Sequence, residues 1–536
     1  MRLTRRLSQW WTPGALALGV LLIFTGLPLL ALLYTVSDIS LAAIFDNAYY
    51  RRVIRFSFVQ ALLSASLSTL LAIPVARALS QERTFVGRSL IVHLYSMSLV
   101  IPTLVTISGI VVVYGRTGWL NSALSTVGIE RFSLYGLTGI LIAHVFFNMP
   151  LASRIFLQSL ENIPSEQWRL ATQLRMPQWT QFRFLEWPAI RKQMIGVFML
   201  IFMLCFTSFA IVLTLGGGPR ATTIEVAIYQ AVRFDFDLNT AVTLALIQLL
   251  FCGALLLLSS LIKFSNPVGF AYKPPEHQYR TLAQNRWLNA VIIASATLFV
   301  LLPLFGLLLN AINPATLSVL THSNTVKAVI NTIIVSLTAS VLAVSMGVGL
   351  LLSTRHLRVR LRRHRLGEWL QHGGNLILVM PPIVLSTGLF LLLRPIADVF
   401  SLALILAIVI NSIMALPFVL RILDGPMMQA AVHHDRLIQS LNMTGLNRWR
   451  WLDWPLIKKP FGYAMAVSAA FTAGDLSAIA LFGSERALTL PLLLYQRIGS
   501  YRLYEASVTA ALLLMVCLLL FIVLQSIFGY TRHART

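Results

Sequence analysis

Twelve stretches of mostly apolar sequence, each close to the length of a bilayer-crossing helix, decide what this chain can fold into. A spanning helix takes about 20 such residues. The runs lie near 14–36, 56–76, 89–114, 134–157, 194–215, 240–262, 287–310, 328–353, 374–393, 400–420, 461–483 and 505–529. No water in hydrocarbon satisfies a backbone N–H or C=O, so runs of this length are helices and not open strands. The expected class is an all-α membrane protein. Composition agrees: 57% of the 536 residues are hydrophobic and only 11% are charged, against about 25% charged in soluble domains.

The net charge of +23 would suggest nucleic acid in a soluble protein, but no basic soluble domain is present to hold a duplex. Of the 42 Lys and Arg, 30 fall in or beside alternate inter-span segments, beginning with the N-terminus. Positive charge marks the cytoplasmic side, so both termini are expected in the cytoplasm. The cluster "RHLRVRLRRHR" at Arg355–Arg365 reads as an orientation anchor. The first apolar run exceeds the roughly 7–15 residues of a cleaved signal core and reads as the first span. Cys205, Cys252 and Cys517 all sit inside apolar runs and read as small buried hydrophobes. With no redox motif, metal-ligand cluster or catalytic constellation in view, the chain is expected to be a transport subunit and not an enzyme, with no metal and no cofactor of its own.

The phrase "RFLEWPAIRK" (183–192) returns as "RWLDWPLIKK" (450–459), 267 residues later. The duplication is longer than the phrase. "RLATQLRMPQWTQFRFLEWPAIRKQ" (169–193) pairs with "RLIQSLNMTGLNRWRWLDWPLIKKP" (436–460) at the same offset, and Pro150 and Arg154 pair with Pro417 and Arg421. The chain therefore reads as two tandem six-span halves, 1–264 and 287–536, joined by a cytoplasmic linker at 265–286. Both halves start on the same side, so they are parallel and not inverted copies.

The repeated segment falls in the loop between spans four and five of each half. Pro164 can open a helix there and Pro177 can close it. Trp168, Ala171 and Leu174 then share one face at helical spacing, and Leu437, Ile438 and Leu441 make a similar stripe in the second copy. Short amphipathic helices of this kind lie on a membrane surface or insert their apolar face into a partner's groove. Two matching solvent-facing loops suit a partner with two equal surfaces.

These loops resemble the "EAA–LG–…–LP" signature of ABC importer permeases. Leu174 and Leu441 stand at the signature leucine, and Pro188 and Pro455 at the closing proline. Arg169 and Arg436 replace the acid. Arg175 and Asn442 replace the glycine and are followed by Met176 and Met443. The resemblance covers nearly the whole chain and is to the fused double permeases of the iron(III)/thiamine branch. "FMLCFTSFAIVLTLGGGPRATTIEVAIYQAVRFDFD" (202–237), "AHVFFNMP" (143–150) and "LYQRIGSYR" (494–502) look most like its thiamine members. It implies a bacterial inner-membrane subunit of about twelve helices in two parallel six-helix halves. The implied cargo is thiamine, with its phosphate esters as further candidates. The implied partners are two copies of an ABC ATPase, docked on the two loops, and a periplasmic thiamine-binding protein.

No G-x-x-x-x-G-K-[ST] loop occurs in the chain. "LGGGPRATT" (215–223) lacks the lysine, so ATP is expected to be used by the partner ATPase. An ionisable residue inside a span is a functional candidate by default, which singles out Asp475 for the translocation path. A structural acid at a helix break near Gly474 is the preferred reading. Glu225, Asp235 and Asp237 read as a solvated external loop, and His93 and His144 as hydrogen-bonded interhelical residues. Two rival functions stay open: an iron(III) permease of the same branch, and a twelve-span secondary transporter.

Overall fold

The computed structural model describes residues 12–35, 45–98, 100–261, 285–361, 363–375, 377, 380–441, 443, 445–485 and 487–529. Among them every regular element is helical. The principal helices of the first half are α1 (Thr12–Thr35), α2 (Ala48–Gln81), α3 (Thr103–Tyr114), α4 (Leu137–Glu161), α5 (Ser165–Gln173), α6 (Trp187–Phe206), α7 (Phe209–Leu215), α8 (Ile224–Arg233) and α9 (Leu238–Leu261). Those of the second half are α10 (Arg286–Asn310), α11 (Ser323–Arg355), α12 (Pro382–Leu393), α13 (Ala403–Ser440), α14 (Trp454–Ala473), α15 (Ser477–Phe482), α16 (Leu490–Gly499) and α17 (Leu503–Gly529).

Ten helices among the described residues are long and apolar enough to cross a membrane, fewer than the twelve expected. The two shortfalls have local causes. The run at 374–393 supplies only α12, 12 residues long, because Pro381 and Pro382 start the helix afresh. The run at 461–483 belongs to α14, which carries Lys458, Lys459 and Pro460 in its second turn and stops at Gly474, before α15 begins. The third run of the first half is interrupted in the same way as the ninth: Pro102 caps α3 just as Pro381 caps α12.

The helices are amphipathic in the sense that lipid demands. On α2, Ser57, Gln60, Ser64 and Ser68 are buried, whereas Leu63, Leu67 and Leu70 are exposed. On α11, Thr332, Ser336 and Ser340 are buried, and Ile330, Ile334 and Val341 are exposed. Small hydroxylated residues let helix backbones approach closely and find partners there. One of these contacts is repeated in the two halves: the Ser57 hydroxyl accepts from the N–H of Ile224 at 2.9 Å, and the Thr332 hydroxyl from that of Leu490 at 2.8 Å. In each case a second-span side chain satisfies a free N–H at the start of the helix after the fifth span.

The chain packs into two compact units, and neither is a simple stretch of sequence. One comprises Leu41–Ala227 with Leu250–Asn313; the other comprises Met1–Ser40, Ile228–Leu249 and Pro314–Thr536. The first helix of each half therefore belongs to the unit built mainly from the other half. Helix α10 packs on α3 and α2, while α1 packs on α12 and α11. The two contacts are made alike. Gly109 of α3 lies against the backbone of Pro303 in α10, and Gly388 of α12 against that of Pro28 in α1, each so close that a Cβ would strike the proline carbonyl.

Candidate functional site

The loop between α4 and α6 is built from its prolines. Helix α4 ends at Glu161, and Pro164 sets the extended backbone from which α5 starts. Glu166 lies in the first turn. Its own backbone N–H and the Ser165 hydroxyl, together with nearby Arg169, hold its carboxyl below the usual range. Trp168 and Ala171 are buried, as the stripe predicts. Leu174 departs from it: it sits at the C-cap of α5 and is 59% exposed.

The reason is the turn that follows. Arg175 adopts φ 49°. Its N–H bonds the Thr172 carbonyl at 3.1 Å and that of Met176 bonds the Ala171 carbonyl at 3.0 Å. This is the Schellman closure of a helix, whose left-handed residue is most often glycine. The site of the signature glycine is thus the left-handed position itself, and arginine holds the same turn there. Arg169 and Arg175 are exposed and Met176 is half-buried.

The second copy is built differently. Helix α13 runs unbroken from Ala403 to Ser440, so the separate short helix expected around Leu437, Ile438 and Leu441 is absent. Position 431, matching Pro164 at the offset of 267, is alanine, and nothing stops the helix. Arg436 and Leu437 lie on its last turns, but their side chains fall outside the described residues, as does Asn442. Met443 is half-buried. Leu441 is 61% exposed, matching Leu174.

Beyond these differences the copies converge. Each repeated phrase forms a five-residue π-helix, Phe182–Glu186 in one and Trp449–Asp453 in the other. Each runs directly into the next helix, with Pro188 and Pro455 in its first two positions. Phe184 and Trp451 stand out at 62% and 68% exposure. Each has the preceding arginine over its ring, Arg183 at 5.7 Å and Arg450 at 5.5 Å.

The acid of each phrase turns inward. Glu186 is 2% exposed and pairs with Arg77 of α2 at 2.6 Å, and Gln81 donates to its other oxygen at 3.4 Å. Asp453 is 1% exposed and takes a two-pronged pair from Arg355, the last residue of α11, at 3.0 and 2.6 Å, with Arg448 at 3.3 Å. Sequence reasoning passed over both acids. The available signal was an acid kept in both copies of a phrase otherwise rich in aromatics.

Asp475 lies between α14 and α15, where its carboxylate accepts from the N–H groups of Ser477 and Ala478 at 3.2 and 3.0 Å. It also lines a small cavity with Thr332, Asn411 and Thr489. The first half breaks at the matching place, between α6 and α7, with Ser208 there. Among the other acids Glu225 is buried at the start of α8 and not solvated. Asp237 caps α9 through Thr240. His144 bridges helices through the Ser64 hydroxyl at 2.8 Å. His93 does not: it is exposed and bonds the Ser89 carbonyl one turn back in its own helix. All three cysteines are buried.

The two copies thus share one layout, with one loop of each anchored by its buried acid and carrying exposed leucine and aromatic side chains. The chain belongs to the family of binding-protein-dependent transport system inner membrane components, whose description matches residues 68–264. It is a permease subunit of an ABC importer, a multi-pass protein of the inner membrane. It is 42% identical to the thiamine transport system permease protein ThiP of Escherichia coli (strain K12), over 99% of each chain. It is 41% identical to ThiP of Brucella abortus (strain 2308), over 95% of this chain and 94% of that one. With ThiP of Haemophilus influenzae it shares 37% identity over the same shares.

Proposed function

We propose that this chain carries thiamine across the inner membrane, driven by two copies of an ABC ATPase docked on its two loops and supplied by a periplasmic thiamine-binding protein. The observation that carries the cargo is the full-length match to three thiamine permeases. What supports the docking is the matched exposure of Leu174 and Leu441 at one place in each repeat. An exposed leucine on a rigid loop is the kind of anchor a groove takes. In this reading 1–264 and 287–536 are the two permease halves, 265–286 is their cytoplasmic linker, and loops and termini face the cytoplasm, as the lysine and arginine distribution favours. ATP closes the ATPase pair, the loops are drawn together, and the path opens outward to accept cargo. Trp168, Arg169, Ala171, Arg175, Met176 and Pro188 shape the first docking element; Arg436, Leu437, Asn442, Met443 and Pro455 shape the second. Asp475 is a candidate for the path of an organic cation.

The test is radiolabelled thiamine uptake in a strain lacking this gene, complemented with wild type or with Pro188→Leu plus Pro455→Leu. Deletion should abolish high-affinity uptake, and the double variant should assemble without transporting. Unchanged uptake after deletion, in a strain with no other thiamine system, would overturn the cargo. Iron(III) uptake would then be measured in the same strains.

A further inference from the structure

We propose that Glu186 and Asp453 are coupling struts, each locking the base of its loop to the second span of the same half, so that loop and span move as one body. The proposal rests on the reading of these loops as ATPase docking elements and adds how their motion reaches the membrane.

Three observations converge on it. The acids occupy the same position of the repeated phrase, 267 residues apart, and each closes a five-residue π-helix. Segments of π-helix are rare and recur at functional sites. Each acid is buried and takes an arginine from the end of the second span, Arg77 near the end of α2 and Arg355 at the end of α11. The guanidinium of Arg77 also lies 5.0 Å from the ring of Phe182, within the same π-helix. Buried ion pairs contribute little net stability against apolar replacements, and their best-attested use is to fix register. The register fixed here is that of loop against span. Because the sixth and fourteenth helices start one residue after each acid, a displacement of the loop is delivered to two helices at once.

The test uses the permease with its ATPase and binding protein in proteoliposomes. In Glu186→Gln, cargo moved per ATP hydrolysed should fall about tenfold, within the usual range of coupling effects, while the complex assembles and hydrolyses ATP. Exchanging the charges, Arg77→Glu with Glu186→Arg, should restore the ratio. Asp453→Asn leaves Arg355 buried without its partner and risks misfolding. Arg355→Met and Arg448→Met with Asp453→Leu removes all three charges of the cluster and should also uncouple. A loss of assembled complex with an unchanged ratio would reduce the pairs to scaffolding and overturn the proposal.

Spin labels at Leu71→Cys on α2 and Gln173→Cys on α5 give an independent readout on the permease alone. The wild-type background should show one narrow distance, and Glu186→Gln a broad one. In the full complex the wild-type distance should be the same with and without trapped nucleotide. If no ATPase binds the wild-type chain, the docking reading fails. The label distances then still decide the strut, and a narrow distribution in Glu186→Gln would overturn it.

Discussion

Arg175 occupies backbone territory that side chains other than glycine enter at a cost of about 1–2 kcal/mol. Its φ of 49° is forced by the Schellman closure of α5, which also throws Leu174 outward. Arg175→Gly should therefore stabilise the loop by about 1 kcal/mol, read as a higher melting temperature of the purified permease. A lower one would mean that the arginine side chain contributes more than its backbone costs. The arginine is tolerated because its head reaches solvent, whereas Glu186 and Asp453 are buried and must be paired.

Among the helices, a few prolines mark where one element gives way to the next, while Pro28, Pro303, Pro417 and Pro426 sit inside helices that continue through them. Pro164 separates α4 from α5, and Ala431 at the matching place lets α13 run on. Pro102 and Pro381 split the third span of each half. Proline and glycine also let two helix pairs approach closely: Pro303 seats on Gly109 and Pro28 on Gly388. A side chain at either glycine has no room, since the clash is with backbone and not with a movable tip. Gly109→Val and Gly388→Val should each cost at least about 1–3 kcal/mol through overpacking. The loss would appear as early thermal unfolding in detergent, with Gly19→Val, whose Cβ meets nothing within 4 Å, as the neutral control. Equal melting of all three variants would show that the close approach is dispensable.

At the scale of the whole molecule, the halves exchange their first helices. The unit containing Leu41–Ala227 takes α10 from beyond the linker, and the other unit takes α1 from the N-terminus. Neither half can then complete its own core. A chain cut within 265–286 should accumulate and transport when both fragments are made together, while either fragment alone should be degraded. Membrane levels of the tagged fragments, measured by blot, check this. Stable accumulation of 1–264 by itself would show that its unit closes without α10.

What the sequence determined by itself is what rests on local chemistry. Apolar runs of spanning length must be helices in lipid, the basic residues divide between alternating segments, and a phrase repeated at a constant offset marks a duplicated segment and the loop it contains. Leu174 and Leu441 stood out because the signature is local. The tertiary structure alone decided what depends on residues far apart in the chain. The pairing of Glu186 with Arg77 spans 109 residues and that of Asp453 with Arg355 spans 98, and no periodicity encodes which buried acid meets which arginine. The exchange of α1 and α10 was hidden for the same reason: an apolar helix reads identically whichever neighbours it packs on, and the contacts that select among them, such as Pro28 on Gly388 and the Gly14 N–H on the Ser353 hydroxyl, exist only in space.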